Sequence, residues 1–128
     1  MKIERLDHLV LTVKRIENTC KFYSTVFGME IISFVENRKA LRFGDQQINL
    51  HETGKQLEPK AGNPTPGSAD LCFITENEIE KVMKELKAHQ IQVIEGPVER
   101  NGASGKLNSI YIRDPDNNLI EISNYVVQ

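Results

Sequence analysis

Asp7-His8-Leu9-Val10-Leu11-Thr12 forms the first strand-like run of this chain, and Ala69-Asp70-Leu71-Cys72-Phe73-Ile74 repeats its pattern in the second half. The segment Gln47-Ile48-Asn49-Leu50-His51 is likewise echoed by Asn117-Asn118-Leu119-Ile120-Glu121 near the C-terminus. Residues of metal-ligand type thus stand at the first and last strand of each repeat, His8 with His51 and Asp70 with Glu121. A pseudo-twofold arrangement of two such modules would bring all four to one centre.

Working outward from these strands, each repeat reads as strand, helix, then strands. In residues 5 to 13, Leu9, Leu11 and Val13 alternate with His8, Val10 and Thr12, which marks a strand with one apolar face. Ile16, Cys20, Tyr23 and Phe27 then line one face of a helix, and Gly28 is placed to end it in a left-handed conformation. Met29 to Val35, Ala40 to Phe43 and Gln46 to His51 read as three short strands, with turns at Glu36-Asn37-Arg38 and Gly44-Asp45. Between Glu52 and Ala69 the composition shifts to Gly, Pro, Lys and Glu, and prolines at 59, 64 and 66 oppose a helix or a central strand. In the second module, Thr75-Glu76-Asn77-Glu78 has the form of a capping box, and Ile79, Val82, Met83 and Leu86 make one buried helical face. Strands near 91 to 95, 107 to 113 and 118 to 125 complete it, the last two joined by the turn Asp114-Pro115-Asp116-Asn117. The expected fold class is α+β: paired βαβββ modules, about 4–52 and 69–126 with a linker of about 53–68, forming two cupped mixed sheets with helices outside, in a single domain over 1–128.

Composition narrows the function. At 128 residues with 27% charged residues and a formal net charge of −2, the chain is long enough to bury about two-thirds of its unfolded surface. It carries no basic stripe for nucleic acid and no apolar run of membrane-spanning length. A small-molecule partner and a cytoplasmic location follow as expectations. Cys20 and Cys72 lack a CxxC spacing and read as packed thiols.

Strand alternation places His8, His51, Asp70 and Glu121 on the less apolar, concave face, opposite the residues that the helices cover. Taken singly, a strand His or a Glu between Ile120 and Ile122 is more often an ordinary structural or solvent-facing residue. The joint occurrence at repeat-equivalent positions is what favours a metal. Two imidazoles with carboxylates suit Zn²⁺, Ni²⁺, Mn²⁺, Co²⁺ or Fe²⁺. Such an ion with open positions takes a substrate through two adjacent oxygens, with Glu121 the first candidate for a catalytic base and Asp70 the second. His89 follows the second helix and is expected in solvent near its negative end. The glycine-rich segment 96–106 is read as irregular and lid-like, and Arg100, Lys106, Tyr111 and Arg113 are weaker candidates for substrate contact.

The stretches Asp7-His8-Leu9-Val10-Leu11-Thr12-Val13, Phe22-Tyr23 with Phe27-Gly28-Met29-Glu30, and Asp114-Pro115-Asp116-Asn117-Asn118-Leu119-Ile120-Glu121 resemble the vicinal oxygen chelate superfamily, which includes glyoxalase I, bleomycin-resistance proteins, fosfomycin-resistance transferases and extradiol dioxygenases. The resemblance covers essentially the whole chain and is nearest to single-domain glyoxalase-domain proteins that include a virulence-associated branch. It implies metal ligands on the first, fourth, fifth and eighth strands, here His8, His51, Asp70 and Glu121, although the types at the fourth and fifth strands look reversed and leave Asp70 as a direct ligand or a partner of one. It further implies a divalent-metal-dependent lyase or isomerase and a homodimer. The alternatives are an extradiol-type ring-cleaving dioxygenase and a non-enzymatic binding protein like those of bleomycin resistance.

Overall fold

His8–Val13 (β1), Ile16–Phe27 (α1), Glu30–Ser33 (β2), Lys39–Phe43 (β3) and Gln46–Glu52 (β4) make the first half; Asp70–Ile74 (β5), Ile79–Ala88 (α2), Glu95–Gly102 (β6), Gly105–Arg113 (β7) and Leu119–Tyr125 (β8) make the second. The structure is a computed structural model and describes residues 1–127. The chain divides into two compact units, 1–68 and 69–128. Each unit has one four-stranded sheet, ordered β1-β4-β3-β2 in the first and β5-β8-β7-β6 in the second. In both, the first and last strands of the module pair in parallel and the remaining pairs are antiparallel. The βαβββ reading of each module is therefore the observed one, and the fold is α+β with mixed sheets.

In the first unit the register places Leu9 beside Ile48 and Leu11 beside Leu50. Leu11, Val13, Leu41, Ile48 and Leu50 are buried, together with Cys20 and Tyr23 of α1, which packs on β2, β3 and β4. Gly28, at φ 67°, ends α1 as expected, and the N–H groups of Gly28 and Met29 return to the carbonyls of Ser24 and Tyr23. Only a residue without a Cβ takes that conformation freely. In the second unit Ile110, Ile112, Ile120 and Ile122 form the buried face under Ile79, Val82 and Leu86 of α2.

Four expectations change in the second unit. The capping box does not form: Thr75 Oγ1 accepts the N–H of Asn77, and the first amide of α2, that of Ile79, is taken by Asn124 Oδ1 from β8. Asn124 Nδ2 also donates to the carbonyls of Thr75 and Asn77, so one long-range amide does the work that the local motif predicted. The expected strand near 91–95 lies further on, and the segment 96–106 is no lid: it is the hairpin of β6 and β7, turning at Ala103-Ser104. An edge strand tolerates Gly96-Pro97 because the sheet asks for no hydrogen bond on its outer side, and the pairing there skips a step between Glu95 and Val98. A Cβ on Gly96, at φ +109°, would run into the Ser109 carbonyl oxygen. Finally, Cys20 is buried but Cys72 is exposed, so the packed-thiol expectation fails for Cys72. It occupies the face of β5 that α2 does not cover.

Candidate functional site

The turn before β8 sets where the second unit's candidates stand. Asp114 Oδ1 accepts the backbone N–H groups of Asp116 and Asn118, and Oδ2 accepts Asn118 Nδ2. Asn118 Oδ1 accepts the N–H of Ala69 at 2.8 Å. This buried amide clamps the start of β8 to the start of β5, pairing Asp70 with Leu119 and Cys72 with Glu121. Tyr111 stands on the other side of Glu121, and Glu95 beyond Tyr111.

Asp70, Glu95, Arg100, Tyr111, Arg113 and Glu121 line one open cavity of about 430 Å³ with Ile94 and Leu119. Five of the residues singled out from sequence, Asp70, Glu121, Arg100, Tyr111 and Arg113, are thus brought together. Lys106 is not among them; its Nζ lies 3.4 Å from Glu99 across the hairpin. Arg100 Nε donates to the Tyr111 hydroxyl at 2.9 Å, and its Nη2 pairs with Glu95 at 2.7 Å. Its carbon also lies 5.4 Å from the Tyr111 ring centroid, but the short hydrogen bond to the hydroxyl is the contact that fixes the pair. Burial pushes the Tyr111 phenol above its usual range; the bond from Arg100 opposes this and the negative charge of Glu121 adds to it.

Glu121 is held from beneath. Ser109 Oγ donates to Glu121 Oε2 at 2.7 Å, Ser123 Oγ reaches the same oxygen at 3.3 Å, and the two serine oxygens are 2.7 Å apart. Both serines have 0% exposure. Cys72 Sγ lies 3.4 Å from Ser123 Oγ. Desolvation raises the Cys72 thiol, the Ser123 contact works against this, and the charges of Glu121 and Asp70 add to the rise.

In the first unit, Asp7 Oδ2 lies 2.9 Å from His8 Nδ1, and that hydrogen bond is the main reason the Asp7 carboxyl sits below its ordinary value. With Nδ1 engaged, Nε2 is the nitrogen left for a ligand. His8 is registered beside Gln47, whereas His51 is registered beside Thr12, at the far end of the same strand pair. At about 3.3 Å per residue the four-residue offset separates them by about 13 Å along the strands, too far for two imidazoles on one ion. The module-to-module alignment is corrected accordingly. Counted from the paired strand starts, the position in β4 that corresponds to Glu121 in β8 is Asn49, whose Oδ1 accepts Gln47 Nε2 at 2.7 Å. His51 instead borders a second cavity, of about 710 Å³, with Glu17, Cys20, Lys39, Glu52 and Lys55.

Sequence reasoning passed over Asp7, Asn49, Glu95, Ser109 and Ser123. The Asp-His adjacency was a readable signal for the first; the others emerge only from cross-strand register. Among the described residues, no three His, Cys, Asp or Glu side chains form a metal-holding group. His89 caps the C-terminus of α2 and is exposed.

The chain belongs to the Glyoxalase/Bleomycin resistance protein/Dioxygenase superfamily, whose family model matches residues 5–122. It is 59% identical over 126 residues to the virulence protein STM3117 of Salmonella typhimurium, covering 98% of this chain and 88% of that protein. The crystal structure of that protein superimposes with a TM-score of 0.96, covering 98% of this chain and 100% of the other. The glyoxalase domain-containing protein RDO1 of Mycosarcoma maydis is 54% identical, over 98% of this chain and 70% of its own. At greater distance, a mutant of the fosfomycin resistance protein FosX from Listeria monocytogenes, solved with Mn(II) and 1S,2S-dihydroxypropylphosphonic acid, shares 26% identity at a TM-score of 0.68, covering 98% and 94% of the two chains.

Proposed function

We propose that this protein is a divalent-metal-dependent enzyme of the glyoxalase type, a lyase or isomerase acting on a small substrate that presents adjacent oxygens. The observation that carries the reading is the Glu121 carboxylate: both serine hydroxyls fall on Oε2, and the carboxylate lines the cavity it shares with Asp70. Carboxylate oxygens are hard donors that suit Mn²⁺, Zn²⁺ and similar ions. Asp70 and Glu121 would hold such an ion in this unit; in the first unit the ligand-type donor is His8 Nε2. Manganese in the FosX relative is consistent with this chemistry.

A bound divalent ion supplies Lewis-acid polarisation of a substrate oxygen. The chain's own residues do the rest. Glu121, exchanging between holding the ion and acting as base, would take a proton from the carbon beside the substrate's adjacent oxygens and return it to the neighbouring atom. Arg113, exposed and donating through Nη1 to the Asn117 carbonyl, keeps its remaining N–H groups for an anionic substituent of the substrate. Arg100 holds the Tyr111 hydroxyl in place at the cavity wall.

Metal titration of the purified protein tests the reading, followed by assays on thiol hemiacetals of methylglyoxal, small 2-hydroxy acids and catechols. Glu121→Ala is expected to weaken metal binding about 10-fold or more and to abolish turnover. Isomerisation without oxygen uptake supports the proposal. Oxygen consumption with ring opening selects a dioxygenase, and tight ligand binding to metal-free protein without turnover selects a binding protein; either outcome rejects it.

A further inference from the structure

Two buried serines on the cavity side of a sheet call for a reason. Ser109 and Ser123 pair directly across β7 and β8, both with 0% exposure, while the other face of these strands carries Ile110, Ile112, Ile120 and Ile122. A buried hydroxyl without a partner costs about 1–3 kcal/mol, so packing alone favours Ala or Val at such positions. Here each hydroxyl is satisfied, and the set closes only through Glu121.

The donor count gives the network a direction. Ser109 has one proton and donates it to Glu121 Oε2 at 2.7 Å. Ser123 directs its one proton to the same oxygen at 3.3 Å, its Oγ lies 2.7 Å from that of Ser109, and Cys72 Sγ lies 3.4 Å from Ser123 Oγ. Both serine protons are directed to the same carboxylate oxygen. We propose that Ser109 and Ser123 are positioning residues that lock Glu121 through Oε2, so that only Oε1 is presented to a metal ion or substrate in the cavity.

Without the lock, Glu121 loses both hydrogen bonds that commit Oε2 and can turn either oxygen, or both, to an ion. With it, one oxygen is committed and the other has a single direction. The consequence is a one-oxygen ligand whose geometry is set before the ion arrives, at no reorganisation cost on binding.

The inference rests on the metal reading above, and the experiment separates the two. Thr and Val have nearly the same shape and both suit a strand, so Ser109→Thr and Ser109→Val differ in the hydroxyl while sharing any steric cost. Ser123→Thr and Ser123→Val repeat the comparison on β8 should either Ser109 variant fail to fold. Binding of Co²⁺ alone is followed by its visible absorption and by calorimetry, with no substrate present. The Val variant is expected to bind Co²⁺ about 10-fold more weakly than the Thr variant and to give a shifted Co²⁺ spectrum, since a loosened carboxylate changes the ion's coordination. Equal affinities and identical spectra within both Thr/Val pairs, while Glu121→Gln weakens binding, overturn the positioning role and leave the metal reading standing. Wild-type Co²⁺ affinity in Glu121→Gln overturns both.

Discussion

Replacing Asn118 by Ala removes the clamp that registers β8 against β5. The side chain is fully buried and makes two hydrogen bonds, accepting from the Ala69 amide at 2.8 Å and donating to the Asp114 carboxylate at 2.9 Å. The first is neutral and contributes about 1 kcal/mol; the second involves an ionised acceptor and contributes about 2 kcal/mol, for a predicted loss of about 3 kcal/mol. For a chain of this length that corresponds to a fall in Tm of about 12 °C. In urea, with a slope of about 2 kcal/mol/M, the midpoint drops by about 1.5 M at an unchanged slope. Asn118→Asp keeps an acceptor for Ala69 but sets a second carboxylate against Asp114, so it is expected to destabilise at least as much near neutral pH. A loss below about 1 kcal/mol in both variants, read from urea unfolding followed by circular dichroism, would refute the clamp and the registration of Asp70 and Glu121 argued from it.

His51→Ala is expected to leave divalent-metal affinity within about 2-fold of wild type, because its register position lies far from His8; a loss on the scale of about 10-fold, measured by titration, would contradict the register argument. The Glu52 carboxyl, lowered first by its hydrogen bond with Lys55 and then by the Ile16 amide at the start of α1, should titrate below the ordinary glutamate range in a carbon-detected NMR titration. Its contribution to stability is present above the ordinary glutamate value and is lost as pH falls through the lowered one. Lys55→Ala should bring the midpoint back up, and an unmoved midpoint would sink the assignment.

The strand and helix pattern of both modules was legible because apolar alternation at a period of two, and the spacing of Ile16, Cys20, Tyr23 and Phe27 at a period near 3.6, are local properties of the chain. Gly28 and the Asp114 turn were legible for the same reason, since a backbone conformation demands particular residue types. The faces of His8, Asp70 and Glu121 also followed from alternation within single strands. Register did not. The echo of Gln47–His51 in residues 117–121 matched letters and paired His51 with Glu121, whereas the ladder of hydrogen bonds makes Asn49 the counterpart and moves His51 to the strand's far end. Sliding a strand by two residues preserves every inward and outward side chain, so alternation cannot detect the shift. Asn124 capping α2 from β8, the edge placement that turns 96–106 into a hairpin, and the two serines under Glu121 are likewise contacts between residues distant in sequence. Only the tertiary structure brings them together, because each depends on which strand lies beside which and at what offset.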